Sequence, residues 1–245
     1  MTHLSVIDCL CCVLEHGAQI FESLEGNSAV FLKNTGFDWK HIHPEDDVPG
    51  ITVAVDQMHQ AGRQVVRDVL RAFAMFQGWD ERWLLNVHGL LQGKGALPTC
   101  GQLMLVNYPA LEHLTIHKDE PMIRFGEHTD YGSLTLSFQE LAGGLQVRNR
   151  DGVWVSADPP ESELMLLLAG DMMELMTNGR IQAAPHHVLT TYASRYGCRR
   201  SASVFVVPQD HVPVKPLNVE NGCARYKAVT FSEHCQRQTC RIFRP

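Results

Sequence analysis

The chain has 245 residues, 44% of them hydrophobic, and a formal net charge of −6. That is enough for one sizeable core. An acidic balance with no clustered basic run excludes nucleic acid as the main partner, because phosphate binding needs a concentrated cationic surface. No apolar run approaches the ~20 residues a spanning helix needs, so no membrane partner is expected.

Met1 to Leu14 has no Lys or Arg and contains Asp8, which does not read as a signal peptide. Cys9, Cys11 and Cys12 cluster, the other five cysteines are scattered, and no two CxxC elements are paired. Reduced thiols and a cytoplasmic location are the expectation. Val6 to Leu24 reads as helical, with Gly17 its weak point. Asn34 to Gly50, with His41, His43, Glu45, Asp46 and Asp47, reads as a solvated polar loop, since no metal-ligand spacing joins these groups.

Val53 to Phe76 predicts an amphipathic helix, its stripe running through Val55, Met58, His59, Gly62, Val65, Val66, Val69, Leu70, Phe73 and Phe76. Gly78 suits its C-terminal stop. A short helix follows over Asp80–His88. From Gln102 the text changes to short apolar strands broken by Gly, Pro and Asn-Gly signals, which predicts a sandwich or jelly roll, mainly β with flanking helices. The expected strands are Leu103–Tyr108, Ile123–Glu127, Leu134–Gln139, Leu145–Arg148, Val153–Ser156, Leu164–Ala169, Ala183–Val188 and Ser201–Val207. Asn149-Arg150-Asp151-Gly152 is a hairpin turn, Met172–Met176 a short helical link, and Phe231–Ile242 a closing helix. The whole, 1–245, reads as a single domain. It comprises a shortened N-terminal helical support region (1–100), a jelly-roll core (101–210) and a C-terminal segment with a helix (211–245).

His128-Thr129-Asp130 stands at the end of one expected strand. Residues two apart on a strand share a face, so one imidazole and one carboxylate aim at the same point. That is two thirds of a 2-His-1-carboxylate facial triad, the arrangement that holds ferrous iron with open positions. Downstream, Pro185-His186-His187 offers a third ligand, but adjacent strand residues face opposite ways and only one of the two histidines can join. Pro185 lacks an N–H, which predicts a strand edge or bulge there. Arg199 and Ser201 share a face, and a guanidinium with a hydroxyl suits a bidentate grip on a carboxylate. Shifting the register by one would pair Arg200 with Ala202, which has no hydroxyl.

Taken together these motifs resemble the iron(II)- and 2-oxoglutarate-dependent dioxygenases of the isopenicillin N synthase-like superfamily. The matching text is His128-Thr129-Asp130-Tyr131-Gly132-Ser133-Leu134-Thr135-Leu136, Gly143-Gly144-Leu145-Gln146-Val147, Gly170-Asp171-Met172, Asn178-Gly179-Arg180, His186-x-Val188 and Arg199-x-Ser201. The resemblance implies a double-stranded β-helix of cupin-like jelly-roll form, with His128, Asp130 and His186 as iron ligands. It implies that Arg199 and Ser201 bind the distal carboxylate of 2-oxoglutarate, and that Asn107 and Tyr108 meet its other end. Fe(II), 2-oxoglutarate as co-substrate and O2 are thus the expected cofactors, with no catalytic residue beyond the metal ligands. A small organic molecule would be oxidised with release of succinate and CO2. The alternatives are an iron oxidase that does not use 2-oxoglutarate, as isopenicillin N synthase does, and a shortened, non-catalytic binding protein. The family's Ile-Pro-Val-Ile-Asp-like opening text is not evident; Val6-Ile7-Asp8 and Glu15-His16-Gly17 are only faint echoes.

Overall fold

Alternation of side chains along two strands decides how the molecule is layered. On β5 (Leu134–Gln139) Leu134 and Leu136 point one way and Thr135, Ser137 and Gln139 the other; on β10 (Arg199–Val206) Ala202, Val204 and Val206 oppose Arg199, Ser201, Ser203 and Phe205. The two strands pair antiparallel with Val204 opposite Leu136 and Ser203 opposite Ser137, so like faces coincide. The apolar face packs against helices, and the polar face turns toward a second sheet.

The structure, a computed structural model, describes residues 21–22, 28–33, 51–91, 101–112, 121–161, 164–217, 219 and 223–242. The larger sheet has six strands in the order β1 (Phe21–Glu22), β2 (Ser28–Lys33), β3 (Gly101–Tyr108), β10, β5, β8 (Leu166–Ala169). The smaller has four: β4 (Ile123–His128), β9 (His186–Leu189), β6 (Leu145–Arg148) and β7 (Trp154–Ser156). All strand pairs are antiparallel. The two sheets enclose a cavity between them, and the fold is the double-stranded β-helix. The eight strands expected after residue 100 all form, their ends within three residues of the expected ones. The β6–β7 hairpin turns at Asn149–Gly152, where the Asn149 side chain accepts from the Asp151 and Val153 amides and Gly152 takes φ 79°.

Helices α1 (Ile51–Gln77) and α2 (Glu81–Val87) cover the apolar face of the larger sheet, joined by α3 (Asp171–Met176) and α4 (Phe231–Ile242). On α1, Val66, Leu70 and Ala74 form a buried i, i+4 ridge that enters the main core with Leu136, Val204 and Met172. The predicted stripe extends one turn too far: Phe76 is 83% exposed and Ala74 takes the core position. The side chains of Val55, Met58 and His59 lie outside the described residues, as do the Cys9 cluster and the 34–50 loop. The helical reading of Val6–Leu24 is corrected at its end, because Phe21–Glu22 pairs with β2. β2 itself is an addition of the structure, lying along β3 with Val30 opposite Leu105.

At Pro185 the expected alternative of edge or bulge is decided against the edge. The strand begins at His186, β9 is flanked by both β4 and β6, and the β4–β9 register shifts between the Phe125–Val188 and His128–His186 pairs, the irregularity expected at this end. The missing N–H costs nothing because Pro185 stands just ahead of the ladder, where its carbonyl still accepts from the Arg148 amide at 2.9 Å.

His88, at the end of α2, is wholly buried. Its Nδ1–H donates to the Leu84 carbonyl and its Nε2 pairs with the Ser133 hydroxyl, each at 2.8 Å, so a neutral ring is satisfied at both nitrogens. Burial lowers its pKa to about 4, against the opposing pull of the Leu84 carbonyl. The unfolded chain therefore takes up a proton near pH 6.5 that the folded chain refuses until about pH 4. Stability is complete above pH 6.5 and falls as pH drops toward 4, by about 3 kcal/mol. Urea unfolding at pH 7 and pH 4.5 should show this loss in the wild type and most of it absent in His88→Gln.

Candidate metal centre

The loop from Thr129 to Ser133, between β4 and β5, is fixed by the start of α3. The amides of Gly170, Asp171 and Met172 donate to the carbonyls of Ser133, Asp130 and Gly132 at 3.0, 2.8 and 2.9 Å. Amides of a helix's first turn have no partner inside the helix, so they are free for this use. The approach needs a glycine: a Cβ on Gly170 would lie 2.4 Å from the Gly132 oxygen and 2.7 Å from that of Asp130. Gly170→Ala must push this loop aside. We expect about 1–3 kcal/mol of destabilisation, read by urea unfolding, together with weaker metal binding.

His128 closes β4, Asp130 follows it in the loop, and His186 opens β9 directly across from His128 in the register. One ligand atom from each lies within 4.8 Å of the others. Both imidazole Nε2 atoms are 3.9 Å from Asp130 Oδ1. Each ring is oriented by its far nitrogen: Nδ1–H of His128 donates to the Gly126 carbonyl and that of His186 to the Ala184 carbonyl, both at 2.9 Å. The Nε2 lone pairs are thereby turned toward Asp130. Burial, then the nearby His186, lowers the pKa of His128 and favours its neutral, ligating form. The carboxylate is oriented too, since the Thr135 hydroxyl donates to its other oxygen at 2.6 Å. Two imidazoles and one carboxylate match the donor set of a ferrous facial triad. Thr135→Val keeps the shape and removes the hydrogen bond; a ~10–100-fold loss of metal affinity is expected, measurable by competitive Co(II) titration.

The same cavity, about 60 Å³, contains Arg199 and Ser201 of β10 and Tyr108 of β3. Its remaining walls are largely apolar, including Val106, Leu145, Leu168 and Val188. Arg199 is only 6% exposed. Its Nε donates to the Gly143 carbonyl at 3.1 Å and its Nη2 to the Gln139 side chain, and it sits 5.3 Å over the Tyr108 ring. No carboxylate of the described residues lies within 4.0 Å of it. Burial lowers its pKa, yet an arginine stays cationic in a protein. Burial raises the Tyr108 pKa, against the fields of Arg199 and Arg124, so the phenol stays protonated at neutral pH.

Two neighbours of these residues face elsewhere. Arg200 turns to the opposite side of β10, where its amide and guanidinium bind Glu140 at 2.8 and 3.3 Å. His187 lies on the outer side of β9, stacked 3.8 Å from Trp154 and 3.0 Å from the Gln146 side-chain oxygen. Asn107, expected beside Tyr108, is not among the cavity-lining residues. It sits one residue out of phase with Tyr108 and opposite Arg200 in the register, so strand alternation turns it away. Thr135, Gln139 and His88 were not singled out from the sequence. Thr135 and Gln139 share the polar phase Thr135-Ser137-Gln139 of β5, a signal that finds them once β10 is known to be their neighbour.

A jelly roll that holds an imidazole–carboxylate–imidazole cluster and a buried arginine between its sheets has the donor set of a mononuclear non-haem iron site. The family profile of the 2OG-Fe(II) oxygenase superfamily matches residues 100–208. The chain is 28% identical over 205 residues to the 2-oxoglutarate-Fe(II) type oxidoreductase ppzD of Metarhizium rileyi, covering 79% of this chain and 54% of that protein. It is 28% identical over 194 residues to homoarginine-6-hydroxylase 2-ODD-C23 of Glycine max, covering 76% and 55%. The chain thus spans about half the length of the curated relatives it matches. Among solved structures, a full-length Neurospora crassa protein in complex with alpha-KG superposes with a TM-score of 0.73, at 22% identity over 99% of this chain and 70% of that one. No helix among the described residues is long and apolar enough to cross a membrane.

Proposed function

We propose that this chain is an iron(II)- and 2-oxoglutarate-dependent oxygenase that oxidises a small organic molecule in the cytoplasm, releasing succinate and CO2. The observation that carries this is Arg199, a buried cation with no carboxylate partner among the described residues, in one cavity with His128, Asp130 and His186. A buried charge is costly unless paired, so the site is built for an anionic guest.

His128 Nε2, Asp130 Oδ1 and His186 Nε2 would hold the metal. Arg199 and the Ser201 hydroxyl take the distal carboxylate of 2-oxoglutarate, Arg199 being pre-set by Gln139, Gly143 and the Tyr108 ring. With Fe(II), 2-oxoglutarate and O2 bound, oxidative decarboxylation supplies the power to attack a C–H bond. The apolar walls exclude water and strengthen each polar contact to the bound keto acid. Thr135 keeps Asp130 in one rotamer, so its Oδ1 stays aimed at the metal.

The test is anaerobic titration with Fe(II) and 2-oxoglutarate, following the visible charge-transfer band, and then succinate release on admitting oxygen with candidate substrates. A band and succinate support the reading. Iron binding without either would leave an oxidase that does not use 2-oxoglutarate.

A further inference from the structure

A second cavity, of about 450 Å³, opens between α3, the segment 223–229 and α4. The two acidic groups in its wall are already engaged. His234 Nε2 donates to Asp171 Oδ2 at 2.8 Å and the Gln238 amide reaches the same oxygen at 3.2 Å. The Tyr226 hydroxyl donates to Glu174 Oε1, and the Ala183 amide to Oε2 at 2.7 Å. Burial and the bond to Glu174 push the Tyr226 phenol up to about 12, so it remains a donor.

Among the described residues the cations of this cavity have no such partners. Arg225, Lys227 and Arg237 all line it, and no carboxylate of the described residues lies within 4.0 Å of any of them. Glu233, one turn from Arg237 on α4, is directed to the Thr230 amide at 3.0 Å. Arg225 is held in place: its amide donates to the Asn178 side chain at 2.8 Å, and its guanidinium stands 5.3 Å over the Tyr226 ring. It also lies against Gly179, where a Cβ would come 2.7 Å from Nη1. Three exposed cations lining one open space whose carboxylates are occupied favour a guest with several negative charges.

We propose that this cavity binds a small polyanion, of the phosphate or polycarboxylate class, between Arg225, Lys227 and Arg237. Its position gives it a route to the metal centre. Asp171 holds the Asp130 carbonyl through its amide and α4 through His234, whose ring also meets the Tyr131 ring edge-on at 5.8 Å. An anion bridging the 223–229 segment to α4 therefore braces the loop that carries Asp130. The binding proposal itself does not depend on the oxygenase reading.

Calorimetry on the full chain without added metal tests it, with pyrophosphate and citrate as probes. One anion per chain is expected, bound about tenfold more weakly by Arg225→Gln/Arg237→Gln and by Lys227→Gln. Arg82→Gln, an exposed cation on α2 outside the cavity, should leave binding unchanged, as should Arg199→Ala. Tighter pyrophosphate assigns the phosphate class and tighter citrate the polycarboxylate class. Absence of heat with both probes overturns the site. So does binding that the cavity variants leave intact, or that Arg82→Gln or Arg199→Ala weakens equally.

Discussion

His186→Ala is expected to abolish iron binding at micromolar metal and all metal-dependent turnover, while His187→Ala leaves both within about twofold. The two residues are adjacent and chemically identical, so the contrast isolates position. His186 is buried, its Nδ1–H tied to the Ala184 carbonyl and its Nε2 3.9 Å from the Asp130 carboxylate. Its loss leaves one imidazole and one carboxylate, and a two-ligand set cannot hold a divalent ion against water. Losing even an outer partner of a ligand costs ~10–100-fold in affinity, so losing the ligand itself should cost at least ~1,000-fold. His187 instead stacks on Trp154 across the outside of the smaller sheet. Its removal should cost about 0.5–1.5 kcal/mol of stability and no metal affinity. Metal titration and urea unfolding of the two variants separate these outcomes. Equal loss of metal in both would place the third ligand wrongly.

The register that makes this contrast was only half legible in the sequence. Period 2 says that His186 and His187 oppose one another; it does not say which faces inward. Val188 supplies the phase: it is buried on the same face as His186 and opposite Leu145. On β10 the corresponding rule misleads. Ala202, Val204 and Val206 form the apolar phase, which ordinarily marks the interior, and they do face a core, the one under the helices. The cavity takes the polar phase, Arg199, Ser201 and Ser203, and gathers it with His128, Asp130 and His186. Strands and turns after residue 100 were readable because each is a local pattern. Gln139 against Arg199, His88 against Ser133 and His234 against Asp171 join residues 45 to 63 positions apart, and no local pattern announces them. Asn107 shows the converse limit: a polar residue beside Tyr108 in sequence is on the other face of the strand. Phe76 marks where a helical stripe outlasts the sheet beneath it.

Arg199→Ala should weaken 2-oxoglutarate binding by about 100–1,000-fold while leaving iron affinity nearly unchanged, and Arg200→Ala should do neither. Removing one member of a buried, hydrogen-bonded charge pair costs about 3–5 kcal/mol, because the other charge is left unpaired in a dry site. The bound carboxylate would be that stranded charge. Gln139 and the Gly143 carbonyl would lose their donor as well, and the free protein would be relieved of a cation that has no carboxylate partner among the described residues. Arg199→Ala is therefore expected to be no less stable than the wild type in the absence of 2-oxoglutarate, despite the cavity it leaves. A merely structural arginine would show the opposite, a loss of stability with or without the keto acid. Arg200 supplies the control, since its partner Glu140 lies on the other face of β10 and Arg200→Ala should cost at most about 1 kcal/mol of stability. Arg199→Lys divides the two parts of the grip. It keeps the charge and loses the planar fork, so it should recover only part of the affinity. Thermal melting of each variant with Fe(II), and then with 2-oxoglutarate added, reads stability and binding in one experiment: the ligand-induced rise should vanish in Arg199→Ala and persist in Arg200→Ala. A rise that survives in Arg199→Ala would mean that the co-substrate carboxylate is held elsewhere and that the buried guanidinium serves only the fold.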